Sequence, residues 1–561
     1  MRDLVCIGSC VLLLACGDPG GVAGASASSS GMSEAASTSS TSSTSTSSTA
    51  SSSGELPTTG GAPTSSAGGS ADATGSDPDT STGEAEADPW VERRGVLHVH
   101  SPYSHDACDG EGLMNGAPNP GCLADLRAAI CDGGLDFALL TDHPAHMQEY
   151  PFTDVLLYSE AAGDELVMMQ DMAWNHMRCA DDRRVVLGAG YESHHTLPLG
   201  LHHHVDAALY AGLTDATPLA DAKALIAGLA AGGAVTAIAH SEESDLSAAR
   251  IVEVGLDAME WYNPHGNFKN ALGGDNIAGD PGKVLDTIQG LQPFMVGSQS
   301  GAHPDLVYLR LLPSWPVEGF NKWREVQRVT AITGLLGSDV HQNVRVAPIC
   351  DQDNPVLQAA CIAAAEAALP EALAGLVAGG TLTMSDGDRL DSFARVLRWL
   401  ENSVLTEPGP LDLEQLQAAL RAGRSYGLFT VFGAPEQLRF AGRTADDTLL
   451  WIGDAAVGPV ELQLRAPLRP LALGGAPFTT AQADTAELRT ELWRTDAGGS
   501  VKVADATGLG ATIDYMASDP GAYHVEVYVR PQHLREALGS EDELADIEYM
   551  WVITNPIRVL R

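Results

Sequence analysis

Basic residues are scarce in this 561-residue chain. Lys and Arg together number 32 against 73 Asp and Glu, a formal net charge of −41 at pH 7. That balance excludes nucleic acid or an anionic membrane surface as the main partner, because both are held by a basic footprint. Long hydrophobic runs are missing too. None reaches the roughly 18–20 residues that span a bilayer, so the chain does not read as an integral membrane protein. The nine cysteines include no CxxC pair, which removes zinc-knuckle readings. What is present is a 44% apolar content, enough for a sizeable core, in a length that predicts two or three domains. Histidine is the informative residue: 15 of the 17 lie between His98 and His341.

The N-terminus carries one arginine and then a short apolar stretch over residues 4–15, the shape of a secretory signal. It ends in Leu13-Leu14-Ala15-Cys16, which resembles a bacterial lipobox. The expectation is a signal peptide over 1–16 and lipidation of Cys16. The chain would then be anchored at the cell envelope, at the outer membrane or facing the periplasm, with Gly17 after the cysteine favouring the outer membrane. Residues 17–89 are Ser-, Thr-, Gly- and Ala-rich, with nine acids and no base. Such a segment cannot bury enough apolar surface to offset the cost of ordering it. It predicts a disordered tether with a reach on the order of 50 Å. Six cysteines follow Cys16, an even number in what would be an oxidising compartment. Local pairings Cys108–Cys122 and Cys350–Cys361 are the expectation among the 15 combinations that six cysteines allow.

From Trp90 the texture changes. Strand-like runs at 95–100, 137–141, 185–187, 205–210, 235–239, 258–262 and 333–337 alternate with helical ones at 123–130 and 219–231. Alternation of this kind predicts an α/β fold with a parallel sheet. His98 and His100, Asp142 and His143, Glu192, His240, and Asp339 with His341 each fall at the C-terminal end of such a run. In α/β barrels that rim carries the chemistry. Strand alternation places residues i and i+2 on one side, so His98 can point with His100, and Asp339 with His341, at one cation. Each motif alone is weak, since a lone HxH is usually a surface pair and a lone buried His is usually a satisfied core residue. The ordered set is specific.

That set resembles the PHP family, named for polymerase and histidinol phosphatase. The matching strings are LHVHSPYSHD (97–106), GLDFALLTDH (134–143), GAGYES (188–193), HHHVDAAL (202–209), GGAVTAIAH (232–240), DAMEWYN (257–263) and GSDVH (337–341). The resemblance spans about residues 95–345. It implies a distorted (β/α) barrel of about seven strands that holds two or three divalent ions at one rim. It also implies the ligands. His98, His100, Glu192 and Asp339 would hold one ion. Glu192 would bridge to a second, held by His204 and His240. His143, His341 and either His105 or Asp106 would hold a third. His105 is preferred over Asp106, and His204 over His203. Glu192 and Asp339 would be the catalytic carboxylates.

Imidazole with carboxylate suits Zn²⁺, Mn²⁺ or Fe²⁺. Two such ions can share an acidified water, which makes metal-assisted hydrolysis the expected reaction. The commonest substrates in the family are phosphoesters, so a small-molecule phosphoester is the expected substrate. Arg184 (with Arg183) and Arg345 are candidate clamps for it. His194, His195, Asn263, His265 and His303 are candidate mouth residues. Two alternatives stay open. One is a hydrolase of carboxylic esters or amides, either of PHP type or like the amidohydrolases. The latter usually carry a carboxylated lysine, and lysine is scarce near these motifs. The other is a non-catalytic surface lipoprotein that binds metal or a partner.

Residues 346–434 read as helices completing the barrel and connecting onward, with helices over 361–378 and 411–422. Residues 435–561 show short strands separated by turns, the pattern of a C-terminal β-sandwich. Few aromatics there are placed for carbohydrate binding, so a structural role is expected.

Overall fold

In the computed structural model, residues 14–15, 89–271, 281–315, 317–346, 359 and 380–561 are described. Cys16 and the tether up to residue 88, the helix expected over 361–378, and Cys350 with Cys361 lie outside the described residues.

Strand Val91–Val99 sits inside the largest sheet, which has thirteen strands. On one side it pairs in parallel with Phe137–Leu140, which pairs in parallel with Arg184–Ala189. The Phe137–Leu140 strand is buried on both faces, as its unbroken apolar run requires of a parallel strand covered on both sides. On the other side Val91–Val99 pairs antiparallel with Glu401–Thr406, then Ser425–Leu428, then Tyr549–Thr554. Two smaller sheets continue the first side: Thr196–Leu199 with Val235–Ile238, antiparallel, and Ala258–Tyr262 with Thr333–Leu336, parallel. A few backbone contacts join these pieces. Ala189 bridges Leu201, Asp257 N donates to Thr236 O at 3.0 Å and Ser338 N to Leu97 O at 3.0 Å. The observed fold is thus mixed α/β, with one large sheet and further strands.

Helix Pro120–Asp132 shows why the elements form where they do. Asn119 caps it, its side chain accepting from Gly121 N and Cys122 N, and proline occupies the first turn. Cys122, Leu126, Ala129 and Ile130 fall on one face and are buried. Residues 205–210, expected as a strand, contain instead a single 3₁₀ turn, Ala207–Leu209. The hairpin Glu165–Met169 with Met172–Arg178 and the strand Thr196–Leu199 were not expected.

The C-terminal strands differ from a sandwich standing by itself. Gly521–Arg530 and Tyr549–Thr554 belong to the thirteen-stranded sheet. A four-stranded sheet, ordered Leu449–Trp451, Arg439–Thr444, Val460–Arg465, Thr512–Ala517, lies against it. The rings of Tyr515 and Tyr523 approach to 6.1 Å between the two. Asn555 ties this end of the chain to the strand that precedes Asp339. Its Nδ2 donates to Gly334 O at 3.1 Å and Ser425 O at 3.0 Å, and its Oδ1 accepts from Gly334 N at 2.8 Å. The described residues from 89 to 561 belong to one compact unit. Among the described residues no helix is long and apolar enough to cross a membrane.

Cys108 is bonded to Cys122, and Cys131 to Cys179. The first is the local pairing expected. The second, 48 residues apart, was not among the expected pairs, because helix Pro120–Asp132 and strand Met172–Arg178 are brought together only by the fold.

Candidate metal centre

The site is built where strands stop. His98 occupies a bulge at the end of Val91–Val99, where the register with Phe137–Leu140 shifts between Leu97 and Val99. His98, His240 and Asp339 all adopt left-handed backbone, at φ of 57°, 49° and 48°. Non-glycine residues hold that conformation only when their surroundings enforce it. Here Asp339 N and Ser338 Oγ both donate to His98 O, each at 2.7 Å, locking the bulge to the segment after Thr333–Leu336.

Two carboxylates form the middle. Glu192 Oε2 lies 3.2 Å from both His98 Nε2 and His100 Nε2, and 3.7 Å from His143 Nε2. Its Oε1 lies 2.9 Å from His240 Nε2. Asp339 Oδ1 lies 3.2 Å from His98 Nε2, 3.5 Å from His100 Nε2 and 3.4 Å from His341 Nδ1. Its Oδ2 faces His240 Nε2 at 3.6 Å and His265 Nδ1 at 3.8 Å. Beside them Asp106 Oδ2 stands 3.3 Å from His341 Nε2 and 3.6 Å from His143 Nε2. His98, His100, Glu192 and Asp339 form one group whose ligand atoms lie within 4.8 Å of one another. His100, His143, Glu192 and His341 form a second, and His105, Asp106 and His143 a third. Each group could hold a metal ion.

Electrostatics follow from packing carboxylates into a dry site. Burial opposes charge on His98 and His240. Glu260, Asp339 and Glu192 outweigh it at His98, and Glu192, Glu242 and Asp339 at His240, so both rings are held well above the ordinary histidine range. Burial likewise opposes charge on Glu192 and Asp339, yet His98 and the other imidazoles hold both well below the carboxylate range. His143 is raised to about 9, Asp106 and Glu192 overcoming its burial. His341 is lowered to about 3 by burial and by His100. The carboxylates thus favour the charged form of His98, His143 and His240, whereas burial and His100 keep His341 neutral.

The remaining candidates divide by position. Asp106 faces His143 and His341 directly, whereas the His105 ring is tilted against that of His143 with centroids 5.0 Å apart. His204 is not brought to the cluster: its Nδ1 meets Tyr210 Oη at 2.8 Å and its Nε2 donates to Tyr150 O at 2.7 Å. Both nitrogens are thus committed away from the cluster, one to the segment 205–210, which contains the 3₁₀ turn and not the expected strand, and one to the segment at Tyr150. Its neighbour His203 meets Asp171 O. Arg184 begins strand Arg184–Ala189 and so lies at the opposite end from Glu192, 3.6 Å from Glu165. Arg183 donates to the carbonyls of Leu135 and Cys131. The side chain of Arg345 lies outside the described residues. Asn263 is buried beside the cluster, its Nδ2 3.3 Å from Glu260 Oε2 and its Oδ1 accepting from His265 N at 2.7 Å. His195 turns instead to Asp245, at 2.5 Å, and His303 caps the turn Pro304–Val307.

Glu260 was missed as a site residue. Its Oε1 accepts from His98 Nδ1 at 2.6 Å and its Oε2 from His240 N at 2.9 Å. A carboxylate inside the apolar run Ala258–Tyr262, buried to 1% exposure, was the available signal, since a buried charge needs a partner. Glu242, 3.5 Å from His240 Nδ1, was also missed.

No family model matches this chain, and no curated protein matches it. Among solved structures it is similar to a two-domain Bacteroides vulgatus protein containing a predicted PHP-like metal-dependent phosphoesterase. That match has 11% identity and a TM-score of 0.26, and covers 83% of this chain and 96% of the other.

Proposed function

We propose that this chain is a metal-dependent hydrolase that cleaves phosphoesters. The observation that carries the reading is the convergence of Glu192 and Asp339 on the Nε2 atoms of His98, His100 and His240. The residues present fit a divalent ion. His98 Nε2, His100 Nε2, His341 Nε2 and Asp339 Oδ1 are buried without a hydrogen-bond partner, although each lies within 3.5 Å of a site atom of opposite charge preference. Buried polar atoms left in that state are unfavourable unless something between them satisfies them.

His98, His100, Glu192 and Asp339 would hold one ion. Glu192 Oε1, His240, Asp339 Oδ2 and His265 would hold a second, with His265 in the role first expected of His204. His143, His341 and Asp106 would hold a third. Bound there, Zn²⁺, Mn²⁺ or Fe²⁺ supplies Lewis acidity and an acidified water at neutral pH. Glu260 orients His98 through Nδ1 and so presents Nε2 to the cluster. Asn263 fixes the start of helix Pro264–Ala271 and hence His265, which is part-exposed at the mouth. The strands behind the site belong, in this reading, to a distorted barrel whose rim the ligands occupy.

One observation keeps carboxylic esters or amides as a second substrate class: Arg183 and Arg184, read as phosphate clamps, are engaged away from the cluster. The amidohydrolase-like version is disfavoured, because the nearby Lys322 is engaged elsewhere, donating to Glu243 O. The lipobox-like end at Cys16, with two disulfides that suit an oxidising compartment, supports a lipid-anchored enzyme of the cell envelope. Fractionation of cells expressing Cys16→Ser, expected to release the protein from membranes, tests that part.

The deciding experiment measures metal per chain on untagged protein beginning near Trp90, then turnover of phosphomonoesters, phosphodiesters and carboxylic esters. Two or three equivalents at this centre and phosphoester turnover are expected. Asp339→Asn and His240→Ala should abolish that turnover while leaving the fold intact. Wild-type turnover in either variant would overturn the assignment. Under half an equivalent after reconstitution would favour the non-catalytic reading.

A further inference from the structure

A second set of imidazoles and carboxylates stands just beyond the candidate ligands. His195 is buried to 1% exposure. Its Nδ1 donates to Ala239 O at 3.2 Å, so in the neutral ring Nε2 carries a lone pair. That atom faces Asp245 Oδ1 at 2.5 Å and Glu243 Oε2 at 3.9 Å. The other oxygen of the same carboxylate, Asp245 Oδ2, lies 3.5 Å from His194 Nε2. One aspartate therefore offers one oxygen to each of two adjacent histidines, whose rings are 5.1 Å apart.

We propose that His194, His195 and Asp245 form a zinc site separate from the hydrolytic centre. Ligand atoms each ~2.0–2.1 Å from a tetrahedral ion stand about 3.3 Å from one another. The three ligand atoms already lie within 4.8 Å of one another, so side-chain adjustment alone closes them on an ion. Two imidazoles and a carboxylate are a zinc donor set. His194 and Asp245 are exposed, which gives the ion a path in and leaves room for water in the fourth position. A proton shared by His195 and Asp245 would satisfy that pair alone and leaves the placement of His194 unexplained. His194 holds left-handed backbone, at φ 53°. The chain passes so close to it that a Cβ on Gly212 would lie 2.5 Å from His194 Cβ.

The consequence is mechanical. His194 and His195 follow Glu192, and Asp245 lies in the segment after His240. Glu192 Oε1 and His240 Nε2 meet at 2.9 Å. An ion on the second site clips together the two segments that carry that contact, so its residues are positioning residues.

The test uses the untagged chain, stripped with a chelator and titrated with Zn²⁺. Bound zinc is counted directly, and Co²⁺ is substituted for its visible absorption. The His194→Gln, Asp245→Asn double variant is expected to bind one equivalent fewer than wild type and to lose the matching cobalt signal. Asp339→Asn is expected to keep that equivalent. If the double variant does not fold, His194→Gln alone is used, since its side chain is 55% exposed, and it should move that equivalent to higher zinc concentration. An unchanged count and midpoint would overturn the proposal and leave a hydrogen-bonded pair only. Metal lost in the double variant but never bound at the Asp339 centre would instead overturn the hydrolase reading and keep this one.

Discussion

Glu260 Oε1 accepts a hydrogen bond from His98 Nδ1 at 2.6 Å, 162 residues away in sequence. The bond fixes which nitrogen of His98 faces Glu192 and Asp339, and Glu260 Oε2 holds the backbone of His240 at the same time. A carboxylate behind a ligating imidazole orients the ring and raises its basicity. Glu260→Gln should therefore weaken metal binding about 10–100-fold with little change in fold. Zinc titration followed by a chelating dye, alongside circular dichroism, checks this. Unchanged affinity would remove Glu260 from the centre.

Gly337 makes room for that carboxylate. A Cβ on Gly337 would lie 1.8 Å from Glu260 Oε1, closer than any atom pair tolerates, and Gly337 N is held to Tyr262 O at 3.0 Å. Gly337→Ala must displace Glu260. It should weaken metal binding in the same direction as Glu260→Gln. Because both act through one carboxylate, the double variant should lose less than the product of the two single losses. Fully additive losses would mean that the alanine acts by another route.

Much of the site was legible because an apolar run that ends in a polar ligand type marks a strand end. Glu192, His240 and Asp339 all follow this rule. Simple alternation was expected to align His98 with His100; both do face Glu192 and Asp339, but it is a bulge with left-handed backbone at His98 that aims its ring. What was not legible depends on contacts between distant segments. His204 looked like a ligand because it belongs to a histidine triplet, but its partner Tyr150 is 54 residues earlier. Cys131–Cys179 and the shared sheet at Tyr549–Thr554 were hidden for the same reason, since local pattern carries no information on which distant element becomes a neighbour.

The Cys131–Cys179 disulfide closes a loop of 48 residues that contains His143. Cross-linking a loop of that length stabilises by about 4 kcal/mol through the unfolded chain. Cys131→Ser with Cys179→Ser should lower the urea unfolding free energy by that order while metal content at high zinc concentration persists. Loss below about 1 kcal/mol would show that the reduced chain is as constrained as the bridged one.

His533 is buried and donates through Nε2 to Phe432 O at 3.1 Å. Burial pushes its pKa down to about 4, from an ordinary histidine value near 6.5. The unfolded chain therefore takes up a proton that the folded chain refuses. The stability concerned is fully present above about pH 6.5 and is lost as pH falls towards 4, amounting to about 2–3 kcal/mol for this one group. His533→Gln, which keeps a donor for Phe432 O but does not titrate, should lack this component. Urea unfolding at pH 7 and pH 4.5 should show a smaller acid-induced loss in the variant. Parallel losses in both proteins would assign the acid sensitivity elsewhere.

The C-terminal strands should be inseparable from the site. Tyr549–Thr554 is the sheet neighbour of Ser425–Leu428, and Trp551 Nε1 donates to Gly433 O at 2.8 Å. Asn555 satisfies both backbone groups of Gly334 in the strand that leads to Asp339. A chain ending at residue 434 would expose a full edge of the large sheet and leave Gly334 unpaired, a state that favours aggregation over folding. Such a chain is expected to be insoluble or to lack cooperative unfolding. The subtler Asn555→Ala, which strands buried donors and acceptors, should cost about 1–3 kcal/mol. A shortened chain that folds cooperatively and binds metal with wild-type affinity would show that the sandwich-like part is an independent appendage.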